Sequence, residues 1–191
     1  MSPRTDEQNE TLRAESRARI LEHALRLFAA HGYEATSVRM IAQAAGIAQG
    51  LLYNYFAGKE QLLHAIFAQS MADVRESFAH AEDSQDSRPQ IERLIRASFA
   101  LVRQHRLFWQ LSYSVRMQRA VLAGLGDDLH AWTATIRATL EGYFRAAGAA
   151  APEVEAAILF ALIDGVAQHY VLDPENYPLQ AVEDALVMKY T

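Results

Sequence analysis

The sequence predicts an all-α fold of about nine helices, with an N-terminal three-helix head and a C-terminal helical bundle. Apolar residues recur at three- and four-residue spacing along nearly the whole chain, which is typical of amphipathic helices. No convincing stretch alternates apolar and polar residues with the period of two that a half-buried strand shows. Glycines and prolines separate the periodic segments, where they end or open helices. The pattern therefore indicates two helical domains in one chain.

Composition limits the kind of protein this can be. The chain has 191 residues, 51% of them hydrophobic, so it can bury a sizeable core. It contains no cysteine, which excludes disulfides and thiolate metal sites. Residues 1–9 lack the apolar core of a signal peptide, and the apolar run Ala156–Ile163 is too short to span a bilayer. We therefore expect a cytoplasmic protein without membrane contact.

The N-terminal head is predicted to begin after a flexible polar arm, residues 1–12. Arg4 and Arg13 could reach a DNA minor groove from this arm, or remain solvated. The first helix is predicted from Ala14 to His31, and Gly32 suits the position that ends it. The inner stripe of this helix consists of Ile20, Ala24, Leu27 and Phe28.

The segment Thr36–Phe56 has the pattern of two short helices separated by one glycine. Ser37 can cap the first helix, an apolar stripe follows it, and Gly46 ends the stripe. Two helices joined by such a turn form a helix-turn-helix unit, whose second helix can enter a DNA major groove. The outward positions of the second helix suit this use because they are polar or small: Gln49, Gly50, Tyr53, Asn54 and Tyr55.

Two electrostatic features are consistent with phosphate binding. Lys59 starts the next helix, where the helix dipole disfavours a cation unless a phosphate binds there; the alternative is a solvated lysine beside Glu60. Residues 12–60 carry six basic and four acidic side chains, whereas residues 61–191 carry 11 basic and 16 acidic ones. A mildly basic head on an acidic body has the sign expected of a DNA binder but does not establish DNA binding.

The remaining chain is predicted to be helical throughout. A long helix from Lys59 to about Ala81 would link the head to the body, and a loop would follow it. Gly124 and Gly126 are predicted to form a turn, and Asp127 or Asp128 to cap the helix after it. The other body helices are predicted at residues 91–104, 107–122, 127–146, 153–172 and 179–190.

A long pattern of residue types at fixed spacing, here called the register, spans residues 13–63. Its members are Ile20, Leu21, Ala24, Leu25, Leu27, Phe28, Gly32, Tyr33, Thr36, Ser37, Val38, Arg39, Ile41, Ala42, Ala45, Gly46, Ile47, Leu52, Tyr53, Phe56, Lys59, Glu60 and Leu62. This register resembles the DNA-binding domain of the TetR family of transcriptional regulators. The resemblance implies DNA contacts from Ser37, Arg39, Gln49, Gly50, Tyr53, Asn54, Tyr55 and Lys59. We expect a helix-turn-helix domain at residues 13–57 and a ligand-binding and dimerisation domain at residues 58–191.

Two residues depart from the family pattern. Ala48 replaces the usual Ser or Thr at the start of the recognition helix, which removes a cap worth roughly 1 kcal/mol. Leu51 replaces a common Thr, which removes a hydroxyl contact to phosphate and leaves a possible contact to a thymine methyl.

The helix at residues 153–172 is apolar nearly all round, so it must be buried on more than one side. We expect its second side to meet another subunit, through Ile158, Leu162, Gly165, Val166 and His169. The resemblance also implies a homodimer, because TetR-family regulators associate through their last two long helices. The alternative is a core helix in a monomer. A dimer would place two recognition helices about 34–36 Å apart on a palindromic double-stranded DNA operator.

Aromatic residues with a few polar neighbours cluster in the body, as in small-molecule pockets. The candidate pocket residues are Phe99, Arg103, His105, Phe108, Trp109, Tyr113, Met117, Trp132 and Tyr143. The alternative is that these residues are simply core. The resemblance favours a pocket for a small lipophilic or aromatic effector, whose binding would tilt the linking helix and release DNA.

An all-helical enzyme with a carboxylate–histidine metal site is the competing class of function. Such a site needs Glu-x-x-His on two helices, and the sequence has none; Asp127-x-x-His130 is the nearest match. Asp164 and His169 are isolated polar residues on the apolar helix, and an interface contact explains them better than catalysis. We therefore expect a TetR-type repressor with no cofactor and no metal. A regulator of this fold controlled by a protein partner is the remaining alternative.

Overall fold

The structure is a computed structural model that describes residues 6–83 and 89–190. The described residues form nine helices and no strand, which confirms the all-α prediction. The helices are α1 (Asp6–His31), α2 (Val38–Ala44), α3 (Gln49–Leu52), α4 (Lys59–Asp83), α5 (Gln90–Gln104), α6 (Arg106–Arg116), α7 (Arg119–Ala146), α8 (Pro152–Leu172) and α9 (Leu179–Tyr190).

The chain divides into two compact units, Met1–Gln69 and Ser70–Thr191. The division falls inside α4, whereas the domain boundary predicted from the sequence lies between residues 57 and 58. Leu62, Leu63 and Ile66 on the first turns of α4 are buried within the first unit. The start of α4 therefore contributes to the core of the head.

The head is built on a compact apolar core with two glycine turns. Gly32 and Gly46 have φ values of +82° and +68°, a backbone conformation that side chains with a Cβ rarely adopt. These glycines end α1 and α2 and let the chain reverse direction. The side chains at the centre of the core are Ile20, Phe28, Ile41, Leu52, Phe56 and Leu62.

Helix α1 begins at Asp6, so the prediction of a flexible arm over residues 1–12 is wrong for residues 6–12. No glycine or proline interrupts the sequence between Asp6 and His31, and three acidic residues near the start of α1 suit the positive end of its dipole. Arg13 is therefore carried by a helix. Arg4 lies outside the described residues.

Helix α7 runs unbroken through Gly124 and Gly126, so the predicted turn at these glycines is wrong. The chain turns instead at Met117 and Gln118, just after α6. Each interior glycine destabilises a helix by about 1 kcal/mol, a cost that the packing of a long helix can offset. The predicted cap at Asp127 or Asp128 is wrong for the same reason, because both residues lie inside α7.

In the second unit, a buried carboxylate joins α9 to α5. The Glu183 side chain is only 5% exposed and lies 3.2 Å from the Arg96 guanidinium and 2.6 Å from that of Arg103. Arg96 also contacts Asp184 at 3.1 Å, and this hydrogen bond holds the pKa of Asp184 below its usual range. Two arginines thus neutralise this buried acid, which would otherwise be costly to desolvate.

Helix α8 is long and apolar enough to cross a membrane by length and composition alone, although its strongly apolar run Ala156–Ile163 is shorter than a bilayer span. Ala156, Leu159 and Ala167 on one side of the helix are buried within the second unit. Other apolar residues of α8 are exposed, so burial within the second unit accounts for only part of the apolar surface of this helix.

The two helices of the helix-turn-helix segment differ in their caps. Ser37 Oγ accepts a hydrogen bond from the Met40 N–H at 3.2 Å, as predicted. Ala48 has only a methyl side chain, which cannot accept a hydrogen bond from the first turn of α3. Ala48 already has the extended backbone of a cap residue, with φ −65° and ψ 142°.

Ala48→Ser should therefore raise the free energy of unfolding by about 1 kcal/mol in urea denaturation. Ser37→Ala should lower it by a similar amount, and equal stability of both variants would contradict this.

Candidate functional site

The predicted recognition surface is exposed on the head. Gln49, Gly50, Tyr53 and Asn54 all face solvent, and 49% of Tyr53 is accessible. Tyr55 is half-buried beside them. Ser37 and Arg39 at the start of α2 are exposed as well. The surface predicted for DNA is therefore open to a duplex.

The opposite side of the same segment fixes this surface in place. Leu52 on α3 and Phe56 just after it are buried in the head, together with Ile41 on α2. The Ile47 N–H donates to the Ala42 carbonyl at 3.0 Å across the glycine turn. Because Leu52 and Phe56 point inward, the opposite side of the segment, with Gln49, Tyr53 and Asn54, faces outward.

The charge around the recognition surface suits an anionic partner. The sequence has no acidic side chain from Thr36 through Gly58. Arg13 and Arg17, one turn apart on α1, lie 6.0 Å above the Tyr55 ring and 5.2 Å above the Phe56 ring. Two cations thus flank the end of the recognition segment.

Lys59 is held by the turn that follows α1, so the interpretation as a solvated lysine beside Glu60 is wrong. Its ammonium donates to the backbone carbonyls of Tyr33 at 2.8 Å and Glu34 at 3.3 Å, and lies 4.3 Å from the centre of the Tyr33 ring. Carbonyl oxygens and an aromatic face stabilise a cation that the α4 dipole disfavours. The ammonium also lies 3.8 Å from a Glu34 carboxylate oxygen, so the turn after α1 supplies its charge partner as well.

The second unit contains a largely apolar cavity bounded by α5, α6, α7 and α8. Its volume is about 50 Å³. Trp109, Tyr113 and Trp132 contribute aromatic rings, and the Trp109 and Trp132 ring centres are 5.9 Å apart. The other lining residues are Leu94, Ser98, Leu101, Val102, Ile136, Leu140, Phe160, Ile163, Asp164 and Ala167.

Six residues predicted for the pocket do not line this cavity. Met117 is 88% exposed in the turn after α6, and His105 lies at the junction of α5 and α6. Arg103 instead pairs with Glu183. The other three are packing residues: Phe99, Phe108 and Tyr143. Helical spacing identifies apolar residues but does not show which side of each helix meets a void.

The polar wall of the cavity was not predicted as a unit. Arg116 Nη1 contacts both carboxylate oxygens of Asp164, at 2.8 and 3.0 Å. The Tyr113 hydroxyl donates to the Asp164 backbone carbonyl at 3.3 Å, and burial beside this carboxylate raises the pKa of Tyr113. Asp164 stood out in the sequence as a charge on an apolar helix, but only the fold shows that α6 supplies its partner.

The outward side of α8 is apolar. Val154, Ile158 and Leu172 are exposed, and a Cβ added to Gly165 would meet nothing within 4 Å. Of the other residues predicted for the interface, Leu162 and Val166 also pack partly on the core, and the exposed His169 stacks on Tyr177. The described residues include no group of three or more potential metal ligands.

An exposed, acid-free recognition helix on a three-helix head defines a DNA-binding regulator of the helix-turn-helix class. Two family models match the chain: "Bacterial regulatory proteins, tetR family" over residues 20–66, and "BetI-type transcriptional repressor, C-terminal" over residues 87–191. The chain therefore belongs to the tetR family, with a C-terminal region of BetI type. This confirms the resemblance found in the sequence.

Individual relatives are similar over different lengths. The transcriptional repressor AcnR of Corynebacterium efficiens is 40% identical over 62 residues, which are 32% of this chain and 33% of AcnR. A TetR-like regulator from Rhodococcus sp. RHA1 superposes with a TM-score of 0.77 at 24% identity, covering 98% of this chain and 94% of that one. FadR from Bacillus subtilis, solved with stearoyl-CoA, superposes with a TM-score of 0.74 at 19% identity, covering 90% of this chain and 95% of FadR.

Lys59 should stabilise the head independently of DNA. Lys59→Met keeps the apolar stem but removes the hydrogen bonds to two carbonyls, and should lower the free energy of unfolding by about 1–2 kcal/mol. Lys189→Met removes an exposed lysine from α9 and serves as the control. Urea denaturation without DNA measures the free energy of unfolding of both variants. Equal values for the two variants would contradict a stabilising role of the Lys59 hydrogen bonds.

Proposed function

We propose that this protein is a transcriptional repressor that binds a palindromic operator as a homodimer and leaves it when a small lipophilic effector binds. We place its action in the cytoplasm, because the DNA of a bacterial cell lies there. The observation that carries the proposal is the exposed surface of Gln49, Tyr53 and Asn54 on a buried apolar support. Family membership supports it.

Each exposed residue has a role that its chemistry allows. Gln49 and Asn54 can pair with adenine edges, and Gly50 leaves room for a close approach to the duplex. The remaining predicted contacts are phosphate contacts from Ser37, Arg39, Tyr53, Tyr55 and Lys59. Leu51 is exposed among them and can contact a thymine methyl in place of the hydroxyl that it lacks.

The exposed side of α8 is the proposed subunit interface. Val154, Ile158 and Leu172 form an apolar strip that water solvates poorly, and Gly165 allows a second backbone to approach closely. A partner helix on this strip would complete the burial that an apolar helix requires. The resulting two-fold symmetry would match two operator half-sites.

The cavity in the second unit is the proposed effector site. A structural relative, FadR, was solved with stearoyl-CoA, which supports a lipophilic ligand for this fold. Drug-sized ligands need roughly 300–1,000 Å³, so a cavity of about 50 Å³ must enlarge to admit one. Helix α4 belongs to both units, and we propose that this enlargement shifts α4 and changes the spacing of the recognition helices.

Selection of bound sequences from random duplex DNA tests the repressor proposal. The enriched sequences should be palindromic, with half-site centres about 10 base pairs, or a whole number of helical turns, apart. Enrichment of a single unrepeated site, or no enrichment, would contradict dimeric operator recognition.

Individual contacts can be tested on the selected operator. Asn54→Ala should cost about 1–3 kcal/mol and relax preference at one base position, because it removes a base contact. Tyr53→Phe should weaken binding to all sequences alike, because it removes only a phosphate-bonding hydroxyl. Fluorescence anisotropy on the operator and on variants of each position measures both effects. A uniform loss from Asn54→Ala would contradict base readout.

The subunit interface predicts the oligomeric state. Ile158→Glu should convert the dimer to a monomer at micromolar concentration, because it would bury an unpaired charge in the interface. Leu12→Glu on α1 is the matched control, since Leu12 is 42% exposed and Ile158 44%. Light scattering measures the mass of each variant. A monomeric parent protein, or a dimeric Ile158→Glu variant, would contradict the proposed interface.

A further inference from the structure

Two tryptophans that line the proposed effector cavity have indole N–H groups without a hydrogen-bond acceptor. Trp109 and Trp132 are 7% and 8% exposed, and the indole N–H of each is buried without a hydrogen-bond partner. Both residues line the cavity. A buried donor without an acceptor is costly, so two such donors on residues of one cavity favour a ligand that brings an acceptor.

We propose that the effector is an uncharged molecule with an apolar body and a hydrogen-bond-accepting oxygen of carbonyl type, held by the indole N–H groups of Trp109 and Trp132. This inference rests on the proposed role of the cavity as effector site and adds the chemical class of the ligand.

The other polar groups of the described cavity wall already have partners. Ser98 Oγ donates to the Leu94 carbonyl at 2.8 Å, and the Tyr113 hydroxyl donates to Asp164. The Asp164 carboxylate is bound through both oxygens by Arg116. The two indole N–H groups are therefore the donors left for a ligand among the side chains that line the cavity.

The charge at the cavity wall disfavours an ionic effector. The lining residues include no lysine, arginine or histidine, so a carboxylate ligand would be desolvated without a cation to pair with it. An ammonium ligand would have to displace Arg116 from Asp164. A neutral ligand meets neither penalty, and its apolar body can pack against Leu101, Ile136 and Phe160.

Four small aromatic compounds of similar size separate these possibilities. Acetophenone carries a carbonyl, ethylbenzene replaces it with a methylene, phenylacetate is an anion and phenethylammonium is a cation. The chain has only two tryptophans, so a ¹H–¹⁵N spectrum of labelled full-length protein shows two indole signals, and both report on this cavity. Titration of each compound gives a dissociation constant and the change at each indole.

Acetophenone should bind at least tenfold more tightly than ethylbenzene and move an indole proton signal downfield, because hydrogen bonding deshields that proton. The two ions should bind more weakly than acetophenone. Trp109→Phe and Trp132→Phe keep a ring but remove one N–H, and the double variant should bind acetophenone and ethylbenzene alike. Tyr190→Phe removes another buried unpartnered donor, outside the cavity lining, and should leave the preference unchanged.

Equal affinity for acetophenone and ethylbenzene, no binding of any of the four compounds, tighter binding of either ion, or a preference that survives in the double variant would each overturn the inference. Binding of ethylbenzene, which needs no indole N–H, checks that the double variant still folds and keeps its cavity. Operator release is measured separately by anisotropy. If acetophenone binds as expected but leaves DNA affinity unchanged, the effector role fails while the ligand class stands.

Discussion

The apolar character of α8 is the constraint on which the second unit depends. An apolar helix of 21 residues must be covered on most of its circumference, and the sides of α8 differ in their surroundings. Leu159 is buried in the core, Phe160 and Ile163 face the cavity, and Ile158 is left exposed. One helix thus bears on the core, the proposed effector site and the proposed subunit interface. This arrangement offers a physical route by which filling the cavity could affect the subunit interface.

Asp164 is the single charge that this helix places at the cavity wall, and its partners determine how the wall behaves. Arg116 neutralises the carboxylate, while Tyr113 donates to it and lies 4.8 Å from the Arg116 guanidinium. The cluster connects α6 to α8 and uses up the polar groups that could otherwise bind an ion. What remains is an apolar space with two unpartnered indole donors, a combination that selects for a neutral ligand with an acceptor.

The head was predicted from the sequence in most respects, and the second unit only in outline. The apolar stripe of α2, the Ser37 cap and Gly46 are local signals, so the helix-turn-helix segment and its exposed side followed directly from them. Lys59 and Asp164 show the limit of such reasoning. The carbonyls that hold Lys59 come from the turn after α1, and the guanidinium that neutralises Asp164 comes from α6. Partners so distant along the chain leave no periodic signal.

The sequence by itself determined the helical class, the order of the helices, the exposed side of the helix-turn-helix segment and the family, because these depend on spacing and on residue types within a few turns. Only the tertiary structure decided which aromatic residues surround a cavity and which simply pack: it assigned Trp109, Tyr113 and Trp132 to the first group and Phe99 to the second. It also decided that Gly124 lies inside a helix. The physical reason is that a void or a tolerated glycine depends on how several helices pack together, and helical periodicity in one segment carries no information about its neighbours.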